Sequence, residues 1–269
     1  MIMDNTELIS KLAISLSNNI YQDGLSPAVK NLGQALGDIT SAIQLVTLPF
    51  AFLGDTAAAL KDKYRDFINE TYAKVPDEKK VLPDKTIVYD IIKSVLPSID
   101  KNDIREIYSN LLASASDMDK KSCVHPSFPF LISQLGSTEV ILLEEINASA
   151  NKSLPYIEVF GFIKHSNMPI QIIEPVACIK GYEKDYKKIA TAIQTLLRLQ
   201  ILRKQPSPYD DKKLYDMKLD KNTFEYIKKD INFFANDFGK IASTSLSEGL
   251  LMPTILGIDF INTCSSYDK

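Results

Sequence analysis

Histidine is nearly missing from this 269-residue chain, which carries only His125 and His165. Two imidazoles cannot build a histidine-rich metal site, and the carboxylates show no calcium-loop pattern of oxygens. Cysteine is scarce too. Cys123, Cys178 and Cys264 are odd in number, far apart and without the CxxC spacing of zinc or redox sites, a usage that suits a reducing cytoplasm and buried thiols. Phosphate-cradling glycine loops are lacking, since neither GxGxxG nor GxxxxGK(S/T) occurs. The GxSxG elbow of serine hydrolases is lacking as well. Cys123 and His125 stand close in sequence, but a nucleophile and base need a third, orienting group, and the sequence names none. The expectation is a protein that is not an enzyme, with no catalytic residue, no cofactor and no metal ligand.

An excess of either charge is also absent: 31 Lys and Arg oppose 34 Asp and Glu, for a net charge of -3. No global basic field therefore exists to hold a nucleic-acid backbone. Long hydrophobic runs are missing. The most apolar window, Ile43 to Leu53, contains Gln44, Thr47 and Pro49, and a second, Gly249 to Ile261, is broken by Pro253, Gly257 and Asp259. Both are shorter than the roughly 18–20 residues that span a bilayer. The opening residues carry Asp4 and Glu7 where an export signal would be positive. A cytoplasmic protein is expected, with these windows as buried core or partner interface and membrane contact on activation as the alternative.

What the chain does have is enough apolar residue, 45% of the total, to bury one large core or two smaller ones. Helical spacing dominates the first part, through Leu8, Leu12, Ile14 and Leu16, then Val29, Leu32, Leu36, Ile39 and Ile43. An amphipathic stretch ending at Tyr72 sets Leu60, Tyr64, Phe67 and Ile68 on one side, and a charged linker, Val75 to Asp84, follows. The pattern predicts a helix from Lys85 to Val95, stopped near Pro97. Another begins at Asp103, read as its cap with Glu106 three residues on, and carries the stripe Ile104, Ile107, Tyr108, Leu111, Leu112 and Ala115. His125-Pro126-Ser127 opens a short helix that Gly136 ends, and Ser137 or Thr138 is placed to cap the next.

Beyond Ala150, β-branched and aromatic residues between prolines and glycines suggest short strands. A helix from Asp185 to Gln200 runs into Ile201–Lys204, a turn, the alternating Leu214–Leu219, and a helix near Thr223 to Asn236. That order is how a winged-helix unit ends. The expected fold is mainly α: a helical domain, 1–150, followed by a winged-helix-like α+β domain, 151–269, with a C-terminal helical tail. Cations in this part are interleaved with Asp185, Asp210, Asp211 and Asp216, and only Gln194 and Arg198 are obvious base readers on the helix. Nucleic acid therefore ranks below an unknown protein partner.

The run Ile104 to Asp117 (IREIYSNLLASASD) followed by Val124 to Ile146 (VHPSFPFLISQLGSTEVILLEEI) resembles the abortive-infection alpha family, bacterial proteins associated with defence against phage. The likeness rests on Asn110-Leu111-Leu112-Ala113, on His125-Pro126-Ser127-Phe128, and on Gln134-Leu135-Gly136 through Glu139. It extends over roughly residues 25–235 and departs at Gln200, where a glycine is common in the family. The resemblance implies antiphage defence by abortive infection, with no established reaction and no catalytic residue to carry over. The motif residues Asn110, Leu111, Leu112, His125, Pro126, Ser127, Phe128, Gln134, Leu135 and Glu139 are read as structural. The functional expectation is a defence protein that binds a protein partner or cellular target. A membrane-perturbing effector acting through Val29–Leu60 or Gly249–Ile261 is the alternative, and a DNA-binding regulator comes third.

Overall fold

The computed structural model describes residues 55–163, 169–206, 221–238 and 241–265, and is mainly helical with a small antiparallel sheet. The apolar window Ile43–Leu53 and the periodic segments before it lie outside the described residues, as does Leu214–Leu219, the expected wing strand. Two compact units emerge: one from the residues up to Gln134 together with those from Asp259 on, the other from Leu135 to Ile258.

The first unit holds helices α1 (Asp55–Lys74), α2 (Lys85–Val95), α3 (Asn102–Ala115) and α4 (Phe128–Ser133), and a π-helical turn at Ile261–Ser265. Helix α2 starts where Asp84 accepts the amides of Thr86 (2.8 Å) and Ile87 (3.3 Å), satisfying donors the helix itself cannot. Its buried residues Val88, Ile91, Ile92 and Val95 fall at i, i+3, i+4 and i+7, the spacing of one helical stripe. Helix α3 lies at the centre, packed by α1, α2, α4 and the π turn. Tyr64 and Phe67 of α1, Ile91 and Ile92 of α2, Tyr108, Leu111 and Leu112 of α3, Phe128 and Ile132 of α4, and Phe260 make its fully buried core. The start of α3 differs from the sequence expectation. It opens at Asn102 after Lys101, so Asp103 sits inside the first turn, where its carboxylate accepts the amide of Ile104 (2.9 Å). Glu106 stands five residues past the cap, beyond the third position that a capping box needs, and is ion-paired with Lys74 at 2.6 Å.

The second unit begins with α5 (Ser137–Ala148) and continues through β1 (Leu154–Ile163), β2 (Pro169–Val176), α6 (Tyr186–Arg198), β3 (Leu202–Pro206), α7 (Lys221–Phe238) and β4 (Ile241–Pro253). A short helix α8, Ile255–Phe260, then leads the chain back to the first unit. The sheet order is β2-β1-β4-β3, all antiparallel, so β3 pairs with β4. The apolar stretch Gly249–Ile261 is therefore divided at Pro253 between a strand end and helical turns. On one sheet face Ile157, Val159, Ile173 and Val176 pack with Tyr186 and Ala190 of α6 and Ile227 of α7. Among the described residues no helix is long and apolar enough to cross a membrane.

Helix α6 ends in a six-residue reversal: the Ile201 amide donates to Leu196 O and the Gln200 amide to Leu197 O, both at 3.0 Å. This pairing demands a left-handed residue one past the cap, and Gln200 takes it at φ 58°. A side chain in that conformation costs roughly 1–2 kcal/mol. Gln200→Gly should relieve the strain and, against the added freedom of the unfolded chain, raise stability by up to about 1 kcal/mol. A thermal melt beside the parent protein checks this.

Candidate functional site

The motif residues on α3 divide by chemistry. Leu111 and Leu112 are fully buried core, whereas Asn110, also buried, is a two-sided clip. Its Nδ2 donates to the carbonyl of Cys264 at 3.1 Å and its Oδ1 accepts from Lys74 Nζ at 2.7 Å. One turn further along the same face, Ser114 Oγ donates to the carbonyl of Thr263 at 2.9 Å. Thr71 extends this polar seam, its hydroxyl 2.9 Å from that of Ser109. Phe128 meets Phe260 edge to face with ring centroids 5.3 Å apart, and Tyr108 donates to the carbonyl of Pro129 at 3.2 Å. Two motif residues, Asn110 and Phe128, thus grip the π turn and the residue before it, Phe260. Ser114, Phe260 and Thr263 complete the grip and escaped the sequence reading; the one available signal was a serine one turn after Asn110 in a buried helix. Burial pushes the Cys264 thiol up to about 12, which keeps it protonated and inert.

His125 shapes a turn. Its Nδ1 accepts the amide of Ser127 at 3.2 Å and lies 2.7 Å from the Ser127 hydroxyl, while its carbonyl accepts the Phe128 amide at 3.0 Å. Pro126 and Cys123 are exposed beside it. At the third motif, Gly136 is the residue before α5, and Glu139 Oε2 accepts its amide at 3.0 Å. Glu139 is therefore half of a capping box whose glycine has no side chain to reciprocate. Ser137, expected as a cap, is instead the first residue of the helix. Gln134 is exposed, with Nε2 3.4 Å from Ser133 Oγ, and Leu135 is buried. The three motifs shape helix starts and core; no two of their polar side chains meet across motifs in the bonds described.

In the second unit the sheet buries a charge. Glu158, 5% exposed on the central strand β1, accepts Lys204 Nζ at 2.8 Å and Gln171 Nε2 at 2.9 Å through one oxygen. Lys204 also lies 5.7 Å from the ring of Tyr156, which packs on Gly249 of β4 so closely that a Cβ there would stand 2.6 Å from ring atoms. The sequence signal was a lone acid in an otherwise apolar strand. A cavity of about 310 Å³ opens between the end of α5 and β1, lined by Glu145, Ser149, Tyr156 and Cys178 among others. Its Ser149 hydroxyl is engaged, donating to Ile146 O at 2.9 Å and accepting the Ser153 amide at 2.8 Å.

A groove of about 370 Å³ runs between β2 and α6, lined by Ile172, Ile173, Glu174, Lys187, Ala190 and Gln194 with two neighbours. Gln194, one of the two expected base readers, bonds Glu174 at 2.5 Å, while Arg198 is exposed. At the groove's other end Asp230 receives Lys187 (2.7 Å) and the Tyr186 hydroxyl, and these two bonds, Lys187 first, hold its carboxyl below the usual range. Burial, aided by that carboxylate, raises the Tyr186 hydroxyl. Among the described residues no three His, Cys, Asp or Glu gather as metal ligands. What these sites offer chemically is hydrogen bonding, paired charge and apolar contact.

The family model described as abortive infection alpha matches residues 56–264, from α1 through the gripped C-terminal turn. The chain belongs to this family. No curated protein and no solved structure matches it. The abortive infection alpha match thus takes in both units and all three motifs.

Phe128→Ala should cost about 3–5 kcal/mol of stability by emptying the site beside Phe260. Asn110→Ala should cost about 1–3 kcal/mol by leaving the Cys264 carbonyl unpaired, both read by urea denaturation. A pH series tests Asp230. Because its folded pKa is depressed, its stabilising contribution is present above the unfolded value, about 4, and is lost as pH falls through the folded one. The melting-temperature gap between the parent and Asp230→Asn should therefore hold at pH 6 and shrink below pH 4.

Proposed function

We propose that the protein acts in phage defence by abortive infection, arresting or killing the infected cell, and that it does so by binding a protein partner or cellular target rather than by catalysis. The observation that carries this reading is the family match over residues 56–264. The site chemistry supports it, since the buried charges are matched by partners already in the chain. The winged-helix-like reading of 151–269 stands on α6 leading into β3 of an antiparallel sheet, and serves packing or protein contact.

A membrane-perturbing effector is the second reading. Ile255 and Ile258, 85% and 50% exposed on α8, favour it. Leu251 and Phe260 of the same apolar stretch are fully buried, so insertion would first have to unseat them. A partner that docks on the folded surface asks for less.

Plaque counts and culture survival at low and high infection ratios test the proposal. Protection at low ratio with collapse at high ratio is the expected result. Absence of protection against every phage tried overturns the defence reading. Recovery of the protein in the membrane fraction during infection transfers the mechanism to the second reading.

A further inference from the structure

Strand β2 closes the sheet on one side, so the backbone groups it turns away from β1 face no further strand among the described residues. Prolines at 169 and 175 bracket its middle, Ile170 to Glu174, which keeps every amide. The opposite margin is guarded differently: β3 carries Arg203 and Lys204 and ends in Pro206, residue types that deter strand addition. The middle of β2 has no lysine or arginine, and Ile170 is 46% exposed. Immediately beside this edge lies the groove whose floor is Ile173 and whose far wall is Ala190 and Thr191 of α6. A strand edge with an apolar slot next to it, walled by a helix, is the geometry in which an extended peptide adds to a sheet: main-chain bonds hold it and the slot takes one side chain.

The geometry points to β2 and α6 as the docking site for an extended segment of a protein partner, with an aliphatic side chain seated against Ile173 and Ala190 and a basic residue beside it. The charge follows from the pairing in the groove. Lys187 is matched by Asp230 at 2.7 Å, whereas Glu174 is bonded to the neutral amide of Gln194 at 2.5 Å. The residual charge is negative and sits at the Glu174 end. This inference rests on the binding reading above and supplies its surface.

The full chain, immobilised and screened against a displayed library of random ten-residue peptides, tests it. Selection should enrich peptides that pair an aliphatic residue with Lys or Arg. The tightest of them, titrated by fluorescence anisotropy, should bind Thr191→Arg, which fills the slot from an exposed helix position, at least tenfold more weakly. Selection on Glu174→Lys should turn from basic to acidic neighbours. Hydrogen exchange should slow at residues 170–174 when the peptide is bound. No enrichment, equal binding to Thr191→Arg, or slowing confined to other residues overturns the site, and so does self-association through β2 that Glu174→Lys abolishes. Phage challenge keeps the two ideas apart. If the parent protects and Thr191→Arg protects equally, the groove is dispensable and the defence reading stands; if the parent never protects, the defence reading falls whatever peptides bind.

Discussion

Two carbonyl groups, those of Thr263 and Cys264, govern the first unit. They belong to a π turn buried against α3, away from water, where an unpaired carbonyl would cost several times what a normal hydrogen bond contributes. Asn110 and Ser114 answer both, and Lys74 occupies the other side of the Asn110 amide, so its head group is fixed from two directions. With these bonds made, Phe260 can seat against Phe128 and the apolar contacts around Leu111 and Leu112 close. A polar seam inside an apolar bundle specifies one arrangement, because any slip of the turn leaves several buried groups unpaired at once.

The second unit solves a related problem on a sheet. Glu158 is buried on the central strand, and Lys204 and Gln171 reach it from strands on either side of β1, so one carboxylate ties both flanks of the sheet. The opposite face buries an apolar cluster, Ile157, Val159, Ile173 and Val176, against α6 and α7. One face is thus locked by charge and the other chiefly by packing.

Much of the helical framework was legible in the residues because helical burial writes a local period. Val88, Ile91, Ile92 and Val95 of α2, and Ile189, Ile193 and Leu196 of α6, announce their helices within a few turns. Caps were less legible: Asp103 and Ser137 have the right chemistry, but Lys101 and Gly136 hold the cap positions, a difference of one or two residues that composition does not resolve. Strand β4 was missed because Ala242, Ser243, Ser245, Ser247 and Gly249 give it no apolar alternation, and its pairing with β1 and β3 supplies the order instead. The roles of Asn110 and Ser114 lie beyond sequence reading for another reason. Their partners are 154 and 149 residues away, and nothing local marks the connection. Family likeness found Asn110 and Phe128 without saying what they hold.

Because the first unit is interrupted, its assembly has a schedule. The ribosome finishes α1 to α4 and then makes the whole of Leu135–Ile258 before it reaches Asp259. At roughly 5–20 residues per second that interval lasts on the order of 6–25 s. During it, Asn110 Nδ2 and Ser114 Oγ await carbonyls that do not yet exist. A chain broken off within the second unit would never receive them. The gripped turn thus makes the stability of the first unit depend on residues that are made only after the second unit.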